Sequence, residues 1–71
     1  MTQRITADLA ANVWKVLVAP GDSVEVGDAL VILESMKMEI PVEAEVAGTV
    51  RTLAVKEGDI VQEGDPIAEV G

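Results

Sequence analysis

The sequence contains no cysteine and no histidine. Without cysteine there is no disulfide framework and no thiolate chemistry. Without histidine the usual general base, the Ser-His-Asp arrangement and the commonest zinc ligand are all missing. Trp14 is the single aromatic residue, too little to stack nucleobases. Basic residues are scarce as well, five against 13 acids, for a net charge of −8. Such a surface repels phosphate backbones and anionic membranes. Neither nucleic acid nor membrane is expected as a partner; proteins with basic or neutral docking surfaces are. No apolar run approaches the roughly 18 residues of a membrane-crossing helix. The start, Met1 to Thr6, lacks the apolar core of a signal peptide, so a cytoplasmic location is expected.

What is present is a short chain, 49% hydrophobic and rich in Val, Ile, Leu and Ala. Seventy-one residues make one domain, residues 1–71. A chain this small buries only about 60% of its unfolded surface and is stable by about 3–5 kcal/mol. It leaves little room for a deep catalytic cleft.

The strongest pattern is an internal repeat. Gly21-Asp22-Ser23-Val24-Glu25-Val26-Gly27-Asp28 returns as Gly58-Asp59-Ile60-Val61-Gln62-Glu63-Gly64-Asp65. The offset of 58 − 21 = 37 residues holds without gaps, taking Ala7 to Ala44, Val13 to Val50, Leu30 to Ile67 and Leu33 to Val70. Two copies, about 7–34 and 44–71, fill most of the chain. Two copies do not make a solenoid; they make a duplicated half-domain.

Each half reads as β. The β-branched runs 13–18 and 50–55 are each followed by a Gly-Asp turn signal. Residues 29–33 and 66–70 are the next strands. Residues 40–46 alternate apolar and polar, with Pro41 on the polar side, as in a half-buried strand near an edge. Val13, Val16 and Val18 break strict period two, which predicts a bulge. No window joins a cap to a 3.6 periodicity, so no helix is expected. An all-β sandwich or flattened barrel with pseudo-two-fold symmetry follows, its two halves packed face to face over Val, Ile and Leu. The segment 34–43 should then protrude as a hairpin. The acids Asp22, Asp28, Asp59 and Asp65 match no calcium loop; they read as turn residues bonding local N–H groups. No metal site is expected.

Glu34-Ser35-Met36-Lys37-Met38-Glu39 lies where the first half hands over to the second. If the turn is Met36-Lys37, its chemistry is poor, because two-residue hairpin loops favour Asn-Gly or Gly-X. A lysine at such a tip is ordinarily a solubilising residue, and flanking methionines ordinarily fill core gaps. Against that, two methionines astride the most exposed point of a fold cannot both be core. A Schiff-base lysine would need burial or a cationic neighbour, whereas Glu34 and Glu39 favour the ammonium. Lys37 therefore reads as a substrate for another protein's active site, and no catalytic residue is assigned.

The run Glu-Ser-Met-Lys-Met-Glu closely resembles the signature of biotinyl domains, the carriers of biotin-dependent carboxylases. The Gly-Asp-x-Val-x-x-Gly-Asp turn before the lysine and its repeat after it agree, and the resemblance extends over residues 4–70. It implies a flattened barrel of two four-stranded antiparallel sheets, with biotin covalently bound to Lys37 at a hairpin tip. Glu34, Ser35, Met36 and Met38 would form the recognition motif. It also implies a biotin–protein ligase that uses biotinyl-AMP. The carrier would move carboxybiotin between the biotin carboxylase and carboxyltransferase of a biotin-dependent carboxylase, as a monomer in isolation and without catalysis of its own. The chain is similar to the small stand-alone biotinylated carriers of actinobacteria and bacilli. The gapless offset leaves no room for the thumb insertion of the bacterial acetyl-CoA carboxylase carrier. A lipoyl carrier, which shares the fold and the exposed lysine, is the alternative; lipoyl tips typically read Asp-Lys-Ala or Asp-Lys-Val.

Overall fold

A computed structural model describes residues 2–71. Eight strands follow one another: β1 (Gln3–Thr6), β2 (Ala11–Val16), β3 (Ser23–Val24), β4 (Ala29–Ser35), β5 (Met38–Glu43), β6 (Gly48–Leu53), β7 (Ile60–Val61) and β8 (Pro66–Val70). There is no helix among the described residues. Two four-stranded antiparallel sheets form, in the orders β1-β8-β6-β3 and β5-β4-β2-β7. Adding 37 to the bounds of β2 gives β6, and adding it to β3 gives β7. The first sheet order therefore maps onto the second, strand for strand.

The same offset relates the backbone bonds. Ala7 N–H donates to Asp65 O and Ala44 N–H to Asp28 O; Gly21 N–H donates to Val50 O and Gly58 N–H to Val13 O. The turns agree as well. The backbone N–H groups of Ala19, Glu25, Lys56 and Gln62 donate to the Asp22, Asp28, Asp59 and Asp65 carboxylates at 2.8–3.0 Å. Those acids are turn residues, as their spacing suggested. In each turn the glycine before the aspartate has φ between 90° and 98°, a conformation that excludes most side chains.

Between the sheets lies an aliphatic core without aromatic or charged members. Leu30, Val31, Leu33, Ile67 and Val70 are wholly buried, with Val13, Val50 and Val61 beside them. Val13, Leu33, Val50 and Val70 take inward positions set by the pleat, whereas Leu30 and Val31 are consecutive and both buried where the ladder shifts register between Ala29 and Val31.

Three expectations need correction. The halves do not pack as separate sheets. Within each half only one pair forms, β2 with β4 or β6 with β8, and the other four strand pairs join one half to the other. The strand expected at 13–18 runs Ala11–Val16, and that at 50–55 runs Gly48–Leu53. Past them the chain leaves its sheet ladder and holds on through single bonds, Leu17 N–H to Leu30 O and Ala54 N–H to Ile67 O. The strand expected at 40–46 begins earlier, at Met38, and ends at Glu43, although its alternation of burial continues to Val46. The expected bulge lies between Val13 and Lys15, and its counterpart between Val50 and Thr52.

Candidate functional site at the hairpin tip

β4 and β5 form the hairpin. Its register runs Ile32 opposite Pro41, Leu33 opposite Ile40, Glu34 opposite Glu39 and Ser35 opposite Met38. Met36 and Lys37 are left as a two-residue loop. By the 37-residue offset, the Leu33–Ile40 pair corresponds to Gln3–Val70 in the other sheet. The hairpin therefore continues two pairs and a turn beyond the symmetric body. Alternation aims Leu33 inward as a wholly buried anchor, and Glu34 and Ser35 are half-buried above it.

The loop has φ of 52° at Met36 and 66° at Lys37. Positive φ at both central residues is the type I′ pattern, whose twist matches that of the flanking strands. These are the only non-glycine residues with positive φ among the described residues. An L-residue in that region is disfavoured by about 1–2 kcal/mol, and neither side chain is an Asn or Asp that would ease it. Met36 is 91% exposed and Met38 63% exposed; the reading of the methionines as core filler does not hold. A thioether left in water forgoes most of the hydrophobic free energy its burial would give. Glu34 and Glu39 face each other across the hairpin, a like-charge pair that costs a few tenths of a kcal/mol up to about 1. Strain, exposed apolar surface and repulsion thus converge on six consecutive residues.

Chemically, the tip offers one primary amine on an exposed side chain at the end of a stiff two-stranded arm. The hairpin holds no histidine or thiol, the usual proton acceptors near neutral pH. Glu34, Ser35, Met36, Lys37 and Met38 all lie at this hairpin tip. The register sets Glu39, the last residue of the run, directly opposite Glu34.

The family model described as biotin-requiring enzyme, the biotin/lipoyl family, matches residues 4–70. The chain belongs to the biotin/lipoyl attachment family. Among its relatives, the biotinylated protein TB7.3 homolog of Mycobacterium leprae is 50% identical, over 99% of this chain and 99% of its own. The biotin/lipoyl attachment protein of Bacillus subtilis is 48% identical, over 93% of this chain and 90% of its own. Within the family the fold also occurs as a small part of long enzymes. The crystal structure of Kluyveromyces lactis urea carboxylase superposes with a TM-score of 0.93 at 35% identity, covering all of this chain and 6% of that one. A single-chain long-chain acyl-CoA carboxylase superposes at 0.89 with 32% identity, over 96% of this chain and 7% of that one.

Proposed function

We propose that the chain is a biotin carboxyl carrier in which Lys37 is the attachment point and which has no catalysis of its own. The observation that carries this reading is the tip itself: a lone exposed amine on a strained two-residue loop between exposed methionines. Backbone strain of this kind gathers at functional sites, and the turn would be more stable as Asn-Gly. The name of the Mycobacterium leprae relative supports biotin as the group carried.

In this reading the carrier is the passive partner at both stages. During loading, Lys37 Nζ loses a proton to the ligase and attacks the acyl carbon of biotinyl-AMP. An amide bond forms and AMP leaves. The hairpin carries no histidine, so in this reading the activating base comes from the biotin–protein ligase. During turnover, the bound cofactor supplies the carboxyl-transfer chemistry. The hairpin fixes where the arm begins and keeps it clear of the body. Tethering makes delivery between biotin carboxylase and carboxyltransferase quasi-intramolecular. All of this takes place in the cytoplasm, with the free carrier monomeric.

Lipoate is the second reading. It is favoured by the Bacillus subtilis relative, whose name carries both cofactors. A 45% identity over 59 residues to the dihydrolipoyllysine-residue acetyltransferase component of the Azotobacter vinelandii pyruvate dehydrogenase complex points the same way. Intact-mass measurement after co-expression with a biotin–protein ligase or a lipoate ligase separates the two. A biotin-sized gain that disappears in Lys37→Arg, with the melting temperature unchanged, supports the proposal. A chain that gains only lipoyl mass, or none, overturns it.

A further inference from the structure

The duplication supplies an internal control for surface residues. Positions 37 apart occupy equivalent places in the two sheets, so what the fold requires at one is shown by the other. On the outer face of β5-β4-β2-β7, Lys15, Ile32 and Pro41 form one row across three strands, and Asn12 pairs with Ile60 in another. The bulge puts Trp14 and Lys15 side by side on this face, where the Lys15 ammonium lies 5.4 Å from the indole centroid. The equivalents on the outer face of the other sheet are Arg51 for Trp14, Glu69 for Ile32, Arg4 for Pro41 and Ser23 for Ile60. All four are polar. There the Thr52 hydroxyl bonds Glu69, and Arg51 Nε donates to Gly71 O. The architecture therefore does not need apolar side chains at these places, yet one sheet has four of them. Trp14 is 43% exposed and Ile60 70% exposed.

We infer that this face, centred on Trp14, Ile32, Pro41 and Ile60, is where the enzyme that acylates Lys37 docks. The inference rests on the carrier reading and adds the surface through which it works. Three observations select the occupant. The hairpin is built from two of this sheet's four strands, so a body lying on the face reaches the tip. Pro41 is four residues from Lys37, at most about 14 Å along the strand. Glu34, Glu39 and Glu43 share the outward side of β4 and β5 and border the apolar centre with carboxylates. The complementary surface is apolar with a rim of lysine or arginine. Finally, β5, β4 and β2, about 4.8 Å apart and some 20 Å long, with the two-residue β7 beside them, present an outline of roughly 300 Å². That is well under the roughly 800 Å² per partner of a stable complex. The face suits a brief encounter led by one tryptophan anchor, and it is too small to hold a second copy.

The pseudo-symmetry also designs the test. Trp14→Arg combined with Ile60→Ser places on this face what the other face already has, so folding should survive. Loading of the apo chain by purified biotin–protein ligase, with biotin and ATP, is followed by intact mass over a range of carrier concentrations. At least a tenfold fall in kcat/KM is expected, carried by KM, with kcat at saturation unchanged. Ile60→Ser alone should give a smaller fall in the same direction, and Arg51→Ala on the opposite face should stay within twofold. For the wild-type chain, KM should rise between 50 and 500 mM salt. Equal kcat/KM in the folded double variant overturns the inference while leaving the carrier reading intact. So does a wild-type dimer in sedimentation that the double variant converts to monomer. A wild-type chain that takes no biotin overturns the carrier reading, and this inference with it.

Discussion

At the residue scale, the loop Met36-Lys37 trades stability for display. Both residues occupy the left-handed region, where Asn-Gly sits without strain. Met36→Asn with Lys37→Gly should therefore stabilise the fold by about 1–2 kcal/mol and remove all loading. Urea denaturation monitored through Trp14 checks the first effect and intact mass the second. An unchanged or lowered midpoint would show that the loop carries no strain. Much of this was legible in the sequence. Met-Lys is a poor two-residue turn, and that mismatch already marked the site. Glu39 as the partner of Glu34 follows from a Met36-Lys37 turn, since four residues lie between them and the hairpin register sets them opposite. Trp14 was not legible as a surface anchor. Alternation from buried Val13 already turns it outward, but only the bulge at Val13–Lys15 brings Lys15 to the same face beside it.

At the scale of elements, strands of five or more residues were visible in the sequence and shorter ones were not. β3 and β7 have two residues each, too few to show alternation, and in the sequence they read as parts of their Gly-Asp turns. β1 has four residues with only Ile5 buried, which is no pattern at all. Its identity comes from its pairing with β8. Of the four edge strands, β5 is the longest and therefore the most open to pairing with another chain. Pro41 lies in the middle of it and has no N–H to offer, while Glu39 and Glu43 place charge on either side. Pro41→Val should leave the fold intact, restore a donor to the edge and increase concentration-dependent association. Light scattering at rising concentration reads this directly. Identical behaviour to wild type would mean that the carboxylates alone protect the edge.

At the scale of the whole molecule, the halves of the sequence are not the halves of the structure. Four of the six strand pairs join the first half to the second. The reason this was not legible is physical. Alternation fixes which side of a strand is buried, but two self-contained sheets and two interleaved ones bury the same residues. The repeat dictated the symmetry and the hairpin motif the β4–β5 pair, while the partners of the other strands stayed open. Interleaving has a consequence for folding. A peptide of residues 1–37 retains only the β2–β4 pair, and a two-stranded hairpin is marginal in water; residues 38–71 retain only β6–β8. Each should be unstructured alone. Mixed in equal amounts, they should recover the two sheets, because the four pairs between halves need no covalent link and only the Met36–Lys37 turn region is interrupted. The complex should be weaker than the intact chain and should depend on concentration, since joining the halves removes the entropy cost of association. Circular dichroism and Trp14 fluorescence across a titration test this. A first-half peptide that folds by itself would mean that its own hairpin suffices, and that the interleaved pairs add little to what holds the carrier together.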